Sequence, residues 1–334
     1  MTLEIALGRT ARSLLSVPAM KRLACLATLL FATSLACADK PHDVKGRLHV
    51  GGLDRTFRVH LPRDTAHAQP LVIALHGGSW QGPKMELVSE LDVTADRHDF
   101  IVVYPDAVYS PKPVERQWAD GRGTTKASQD GVDDVAFISA LIDKLSADYK
   151  IDPARIYATG ISNGGFMSYK LACDLGDRIA AIAPVSATMP QAEAPTCKPA
   201  RPLAVFDIHG TADPLVPYDG GEVHGGSGGA ILSVADTMKM WAAIDGCDAK
   251  PATSDVPDRD PRDGMRTHRD VYAHCKSGTD LVLYTVDGGG HTWPGGGHMD
   301  AKYVGPTTRD FDASEAIWDF FAAHRMPEAR TAER

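Results

Sequence analysis

The sequence of 334 residues predicts an α/β domain, with a mostly parallel central sheet covered by helices on both faces. Three observations carry that prediction. Short continuous apolar runs alternate with segments of helical spacing, the connections between them are short, and no linker, repeat or compositional break interrupts the pattern after residue 45. Hydrophobic residues at 43% and charged residues at 23% are globular values, which exclude disordered, collagen-like and coiled-coil classes. The net charge of −8 offers no basic surface to nucleic acid.

Taken in order, Arg47–Val50 and Thr56–Leu61 read as a hairpin around Gly51-Gly52. Leu71–Leu75 is an unbroken apolar run, as expected of a strand buried on both faces. A helix over Met85–Asp96 leads to a second such strand, Phe100–Tyr104. Val132–Tyr149 has helical spacing, with Val135, Ile138, Leu141, Ile142 and Leu145 on one face. Strand Arg155–Thr159 and helix Asn163–Leu175 follow, then strands Ile179–Val185 and Leu203–Ile208 and a helix over Ile231–Ile244. Strands at Val271–Ala273 and Leu281–Val286 and a helix over Ala313–His324 complete the pattern. The acidic stretch Asp258–Gly264 lacks the spacing of a calcium loop and reads as a solvated connection.

The N-terminus reads differently. Lys21 and Arg22 precede an apolar run, Leu23 to Ala38, that ends in Ala36-Cys37-Ala38, the layout of a secretion signal. The run is short of the roughly 20 clean apolar residues a membrane span needs. Residues 1–38 are therefore expected to be an export signal, and residues 39–334 a single catalytic domain, secreted or periplasmic. Met20 is an alternative start, and lipidation at Cys37 an alternative to cleavage after Ala38. Cys173, Cys197, Cys247 and Cys275 remain, an even number that suggests two disulfides with three possible connectivities. Sequence neighbours would pair Cys173 with Cys197 and Cys247 with Cys275. No Cys-x-x-Cys pair points to a structural metal.

Gly160-Ile161-Ser162-Asn163-Gly164 is a Gly-x-Ser-x-Gly between a strand and a helix, the turn that lifts a serine hydroxyl above a sheet edge. A serine needs a base and a group to orient that base. Asp213 stands in the loop after strand Leu203–Ile208, and His291 in the Gly-rich loop after strand Leu281–Val286. All three lie past strand ends at the edge where open α/β sheets gather their ligands. Strand Leu71–Leu75 ends in His76-Gly77-Gly78-Ser79-Trp80, the loop that supplies an oxyanion donor in this architecture. The expected donors are the N–H groups of Gly78 and Asn163. His76 is expected to brace its turn, and Asp133 and Asp134 to cap or complement their helix. Trp80, Trp118 and Trp293 lie near the site loops and are candidates to line a substrate pocket; Trp293 reads also as a packed aromatic that fixes the histidine loop.

The run from His76 to Trp293 resembles the secreted α/β-hydrolase family that includes poly(3-hydroxybutyrate) depolymerases and bacterial feruloyl esterases. Besides the serine motif, Asp133–Ile138, Ile151–Tyr157, His209–Tyr218 and Gly288–Gly295 carry the likeness. Some members have Cys where this chain has Gly78. The resemblance implies an α/β-hydrolase fold, a triad of Ser162, Asp213 and His291, ester hydrolysis and no cofactor. Polymer depolymerases usually add a binding module for which this sequence has no room after its last helix. Soluble substrates are accordingly expected: hydroxyalkanoate oligomers, or feruloyl and acetyl saccharide esters of plant walls. The protein is expected to be a monomer. The rival reading is a non-catalytic exported binding protein on the same fold.

Overall fold

The structure, a computed structural model, describes residues 42–111 and 114–327. The expected export signal, with Cys37 and Met20, lies outside the described residues. Strands β1 (His42–Val50) and β2 (Leu53–Leu61) form the opening hairpin, and β3 (Gln69–Leu75) follows. Helices α1 (Gly82–Ser89) and α2 (Leu91–His98) lead to β4 (Ile101–Pro105). The single helix expected over Met85–Asp96 is thus two, broken where Glu90 adopts φ 53°. A small hairpin, β5 (Val108–Pro111) and β6 (Val114–Gln117), precedes α3 (Lys126–Gln129) and α4 (Asp134–Asp148). Next come β7 (Ile151–Ile161), α5 (Asn163–Asp174), β8 (Ala181–Val185) and β9 (Ala204–Gly210). The short pair β10 (Gly221–Glu222) and β11 (Ala230–Ile231) leads to α6 (Val234–Asp245). Strands β12 (Ala252–Asp255), β13 (Arg266–Tyr272) and β14 (Leu281–Asp287) and helices α7 (Ala301–Val304) and α8 (Ala313–Ala322) complete the chain.

Among the described residues ten strands form one sheet, in the order β1-β2-β4-β3-β7-β8-β9-β14-β13-β12. The run from β4 to β14 is parallel, and both edges are antiparallel. The unbroken apolar strands follow from burial on both faces. Leu71, Ile73 and Leu75 enter the core shared with α4, α5 and α6, while Val72 and Ala74 enter the core shared with α1, α2 and α8. Disulfides join Cys173 to Cys197 and Cys247 to Cys275. Closing loops of this length contributes on the order of 3 kcal/mol each by restricting the unfolded chain. No described helix is long and apolar enough to cross a membrane.

One buried acid in the sheet has a pH consequence. Asp207 on β9 is fully buried, accepts a hydrogen bond from the Tyr169 hydroxyl, and leaves its second oxygen unpaired. Burial pushes its carboxyl up to about 8, against the opposing effect of Tyr169. A raised folded value means that the stabilising protonated form is complete below the unfolded value of about 4 and is lost as pH climbs through the folded one. Asp207→Asn should therefore melt progressively higher than the parent as pH rises from 5 to 8, the gap levelling beyond. Thermal melts across that range check this; a gap independent of pH would contradict it.

Candidate active site

Ser162 sits at the joint between β7 and α5, with φ 58° and ψ −122°. A residue with a side chain rarely adopts this conformation, and it costs about 1–3 kcal/mol unless its surroundings impose it. The surroundings do so through close approach. A Cβ added at Gly160 would lie 2.6 Å from the Leu75 carbonyl oxygen, and one at Gly164 only 2.1 Å from the same atom. The Ser162 N–H donates to Val185 O at 3.0 Å, and Phe166 N–H donates to Ser162 O at 2.9 Å. The serine is fixed between sheet and helix, with Asn163 opening the helix.

The acid and the histidine are equally constrained. One oxygen of Asp213 accepts from the N–H groups of Leu215 and Val216, both at 2.8 Å, and the other lies 2.7 Å from Nδ1 of His291. Burial opposes the Asp213 charge, but His291, His209 and the Val216 N–H outweigh it and hold the carboxyl below its ordinary value. Asp219, six residues on, is exposed, and His291 makes its carboxylate hydrogen bond to Asp213. His291 hangs from α7 through its own N–H, which donates to Val304 O at 2.6 Å. Its ring and Ser162 line one cavity of about 270 Å³. They make no hydrogen bond to each other there, as is common before a substrate draws such pairs together.

Donors also converge on this cavity. The N–H of Ser79 is taken by Arg116 O at 2.8 Å and that of Trp80 by Gly77 O at 3.2 Å. Those of Gly78 and Asn163 have no protein acceptor among the described residues. Gly78 lies against Asn163, a Cβ added there falling 3.9 Å from the asparagine Cβ.

Of the three candidate tryptophans, Trp80 lines the cavity and the other two do not. Trp118 is fully buried: its ring N–H donates to His76 O at 3.0 Å and its backbone N–H to Asn163 Oδ1 at 2.8 Å. Trp293 is fully buried and donates to Ser314 Oγ at 3.1 Å, so it packs the histidine loop against α8. A tryptophan near a site loop has the same sequence signature whether its ring faces the substrate or the core behind it. His76 braces its turn as expected. Nε2 accepts from the Ala107 N–H at 3.0 Å, so Nδ1 carries the proton and donates to Gly77 O at 2.7 Å.

Asp133 caps α4 as expected, accepting from Ala136 N–H at 2.8 Å. Sequence reasoning missed the supports behind the site. Asp134 instead turns inward, accepting from Arg55 at 2.6 Å and from the Ala119 N–H at 2.7 Å. Asp120, fully buried, accepts from Asn163 Nδ2 at 2.6 Å and pairs with Arg122 at 2.8 Å. Asp134 and Asp120 are 79 and 43 positions from Arg55 and Asn163, and no local pattern marks them.

Residues 56–239 match the phospholipase/carboxylesterase family. NocK of Nocardia uniformis subsp. tsuyamanensis, a protein named as an esterase, is 32% identical over 283 residues, covering 81% of this chain and 80% of that protein. Feruloyl esterase B of Piromyces equi is 32% identical over 241 residues, covering 71% of this chain. The matched region spans only 42% of that longer relative. Among solved structures, an acetyl xylan esterase from Aspergillus awamori superposes with a TM-score of 0.55 over 84% of this chain and 99% of its own. Its 16% identity makes this a likeness of fold.

The Arg55–Asp134 pair gives a test of how the site loops are held. Both side chains are buried, at 3% and 0% exposure. Asp134→Asn would leave the guanidinium uncompensated, and loss of one partner of a buried pair costs about 3–5 kcal/mol. Chemical denaturation should show a loss of that order; a change below about 1 kcal/mol would mean that water reaches the pair.

Proposed function

Since the chain belongs to the phospholipase/carboxylesterase family and is a carboxylic ester hydrolase, we propose that Ser162, His291 and Asp213 carry its reaction. The observation that supports this most is the 2.7 Å contact from His291 Nδ1 to a buried carboxylate, on a ring that shares its cavity with a serine held in a strained turn. Ser162 Oγ attacks the ester carbonyl as its proton passes to Nε2 of His291. Asp213 fixes the tautomer that leaves Nε2 free to accept, and stabilises the imidazolium that forms. The tetrahedral oxyanion is held by the N–H groups of Gly78 and Asn163, each worth about 3–4 kcal/mol of barrier by analogy with measured donors. His291 returns the proton to the departing alcohol. Water then attacks the acyl-serine by the same route in reverse, releasing the acid and restoring the serine.

The substrates proposed are soluble esters. Feruloyl and acetyl saccharide esters come first, because relatives carry the names feruloyl esterase and acetylxylan esterase. Hydroxyalkanoate oligomers come second, on the sequence resemblance alone. Export is proposed as well, supported by the two disulfides, which persist in oxidising compartments.

Turnover of methyl ferulate, acetylated xylan and hydroxybutyrate oligomers, compared at equal enzyme concentration, ranks these substrates. Ser162→Ala should reduce turnover of the best by at least about a thousandfold with an unchanged melt. Retention of a tenth of the parent rate would overturn the assignment. Asp213→Asn should lose at least about a hundredfold, because the amide can donate to the ring and select the wrong tautomer. Asp219→Asn should stay near the parent rate; a crippled Asp219 variant beside an active Asp213 variant would move the acid.

A further inference from the structure

A glycine-rich segment, residues 219–229, forms part of the cavity wall, with Val223 and His224 lining it beside Ser162 and His291. Gly220, Gly221, Gly225, Gly226, Gly228 and Gly229 all have positive φ, and a Cβ added at Gly221, Gly225, Gly226 or Gly228 would meet nothing within 4 Å. Val223 packs on the small cluster that includes Phe166 and Val216, and the His224 N–H donates to Leu215 O at 2.7 Å, but the tip beyond them is mostly glycine and has few side chains to hold it. The Gly228 carbonyl, however, is gripped from the body of the domain, accepting from Arg122 Nη1 at 2.6 Å and from Thr124 Oγ1 at 3.1 Å.

Arg122 does not end there. It is 8% exposed, lines the same cavity, and stacks 4.5 Å over the Phe166 ring. Its Nε and Nη2 both donate to Asp120 Oδ2, at 2.9 and 2.8 Å. That oxygen also accepts from the side-chain amide of Asn163 at 2.6 Å. The other end of the same amide accepts from the Trp118 N–H at 2.8 Å. An unbroken chain of contacts therefore runs from the wall through Arg122 and Asp120 to the residue after the serine.

We infer that Arg122 is a positioning residue that ties the 219–229 wall of the cavity to Asn163, so that one guanidinium sets both the fit of the acyl group and the aim of an oxyanion donor. This rests on the esterase reading of the site. A buried ion pair adds little net stability, because desolvation offsets its attraction. Simple neutralisation of Asp120 would also need only a point charge. Serving Asp120 and the Gly228 carbonyl together needs the planar fork that lysine lacks.

The two arms of the fork predict separable kinetic effects. With p-nitrophenyl acetate and p-nitrophenyl butyrate as probes, Thr124→Val, which loosens only the wall, should raise KM for the butyrate about three- to fivefold with kcat within about twofold. Asp120→Asn should lower kcat at least about tenfold on both esters with KM little changed. Arg122→Met should show both effects, and Arg122→Lys, able to reach one acceptor, should recover one and not the other. Melting temperatures separate these effects from unfolding, and a scaffold role alone would not divide kcat from KM. Arg122→Met folded and within twofold on both constants would overturn the inference. So would an unchanged KM for the butyrate in Thr124→Val, or parent values of both constants in Arg122→Lys, which decide the matter if Arg122→Met fails to fold. Failure of the parent to be labelled at Ser162 by a fluorophosphonate would remove the esterase reading and the inference with it. A labelled, active parent with indifferent variants would remove the inference alone.

Discussion

Everything at this site depends on the approach of the Leu75 carbonyl to Gly160 and Gly164. Strand β3, strand β7 and helix α5 meet there closely enough that a side chain at either glycine would collide, at 2.6 and 2.1 Å. This close approach lets β7 become α5 within one residue and forces Ser162 to φ 58°. It also brings the end of β3, with Gly77 and Gly78, alongside the start of the helix. The serine, the free N–H of Asn163 and the glycine loop are thus consequences of one packing constraint. The backbone strain is maintained by a sheet and helix whose cores are otherwise well filled.

Loops past the strand ends lack ladder partners, and the chain replaces those bonds with side chains that hold backbone groups. Asp213 takes the N–H groups of Leu215 and Val216, Asp134 takes that of Ala119, and Asn163 takes that of Trp118. Each acid or amide then has capacity left for a second partner: His291, Arg55 and Asp120 respectively. Buried charge of this kind is expensive to desolvate. What it provides is position, since a group already committed to backbone N–H donors, two at Asp213 and one each at Asp134 and Asn163, cannot swing away from its side-chain partner. The segment from Gln117 to Arg122 acts as a bracket behind the elbow for this reason.

The parallel sheet, the edge on which Ser162, Asp213 and His291 gather, and both disulfide pairs were legible because their signals are local: apolar runs, glycines at a strand-helix joint, neighbouring cysteines. The break at Glu90 was hidden, because the apolar spacing continues across it. Strand β12 was missed since its residues are exposed and carry no apolar alternation. The bracket was illegible for a different reason. Asp134 reads as one of two helix-opening acids, and nothing in its neighbourhood records that Arg55, 79 positions away, lies opposite. Trp118 was expected at the substrate and lies behind the loops, and for Trp293 the sequence left pocket and loop packing open, a distinction decided by tertiary packing alone.

Two histidines, His224 and His291, line this cavity, His76 and His209 stand at the strand ends that border it, and their hydrogen bonds separate one from the rest. His76 has both ring nitrogens occupied by backbone groups, and burial pushes it down to about 4, so it stays neutral and structural. His209 is buried and also pushed down; its Nε2 donates to Val216 O at 2.9 Å and stands 3.6 Å from Asp213 Oδ2, beyond hydrogen-bond reach, and the residue does not line the cavity. His224 is held by Nδ1 against the Pro214 carbonyl at 3.1 Å, on an exposed loop. A carbonyl can fix a tautomer but offers only a dipole to an imidazolium. His291 has its Nδ1 on a carboxylate that remains charged despite burial, while its ring reaches the cavity. Proton transfer from a serine would create a cation on the ring, and a fixed anion behind the imidazole would stabilise it, which is what favours His291 in the proposed role. Among the four, His291 alone joins a place in the cavity wall to a hydrogen bond with a buried carboxylate.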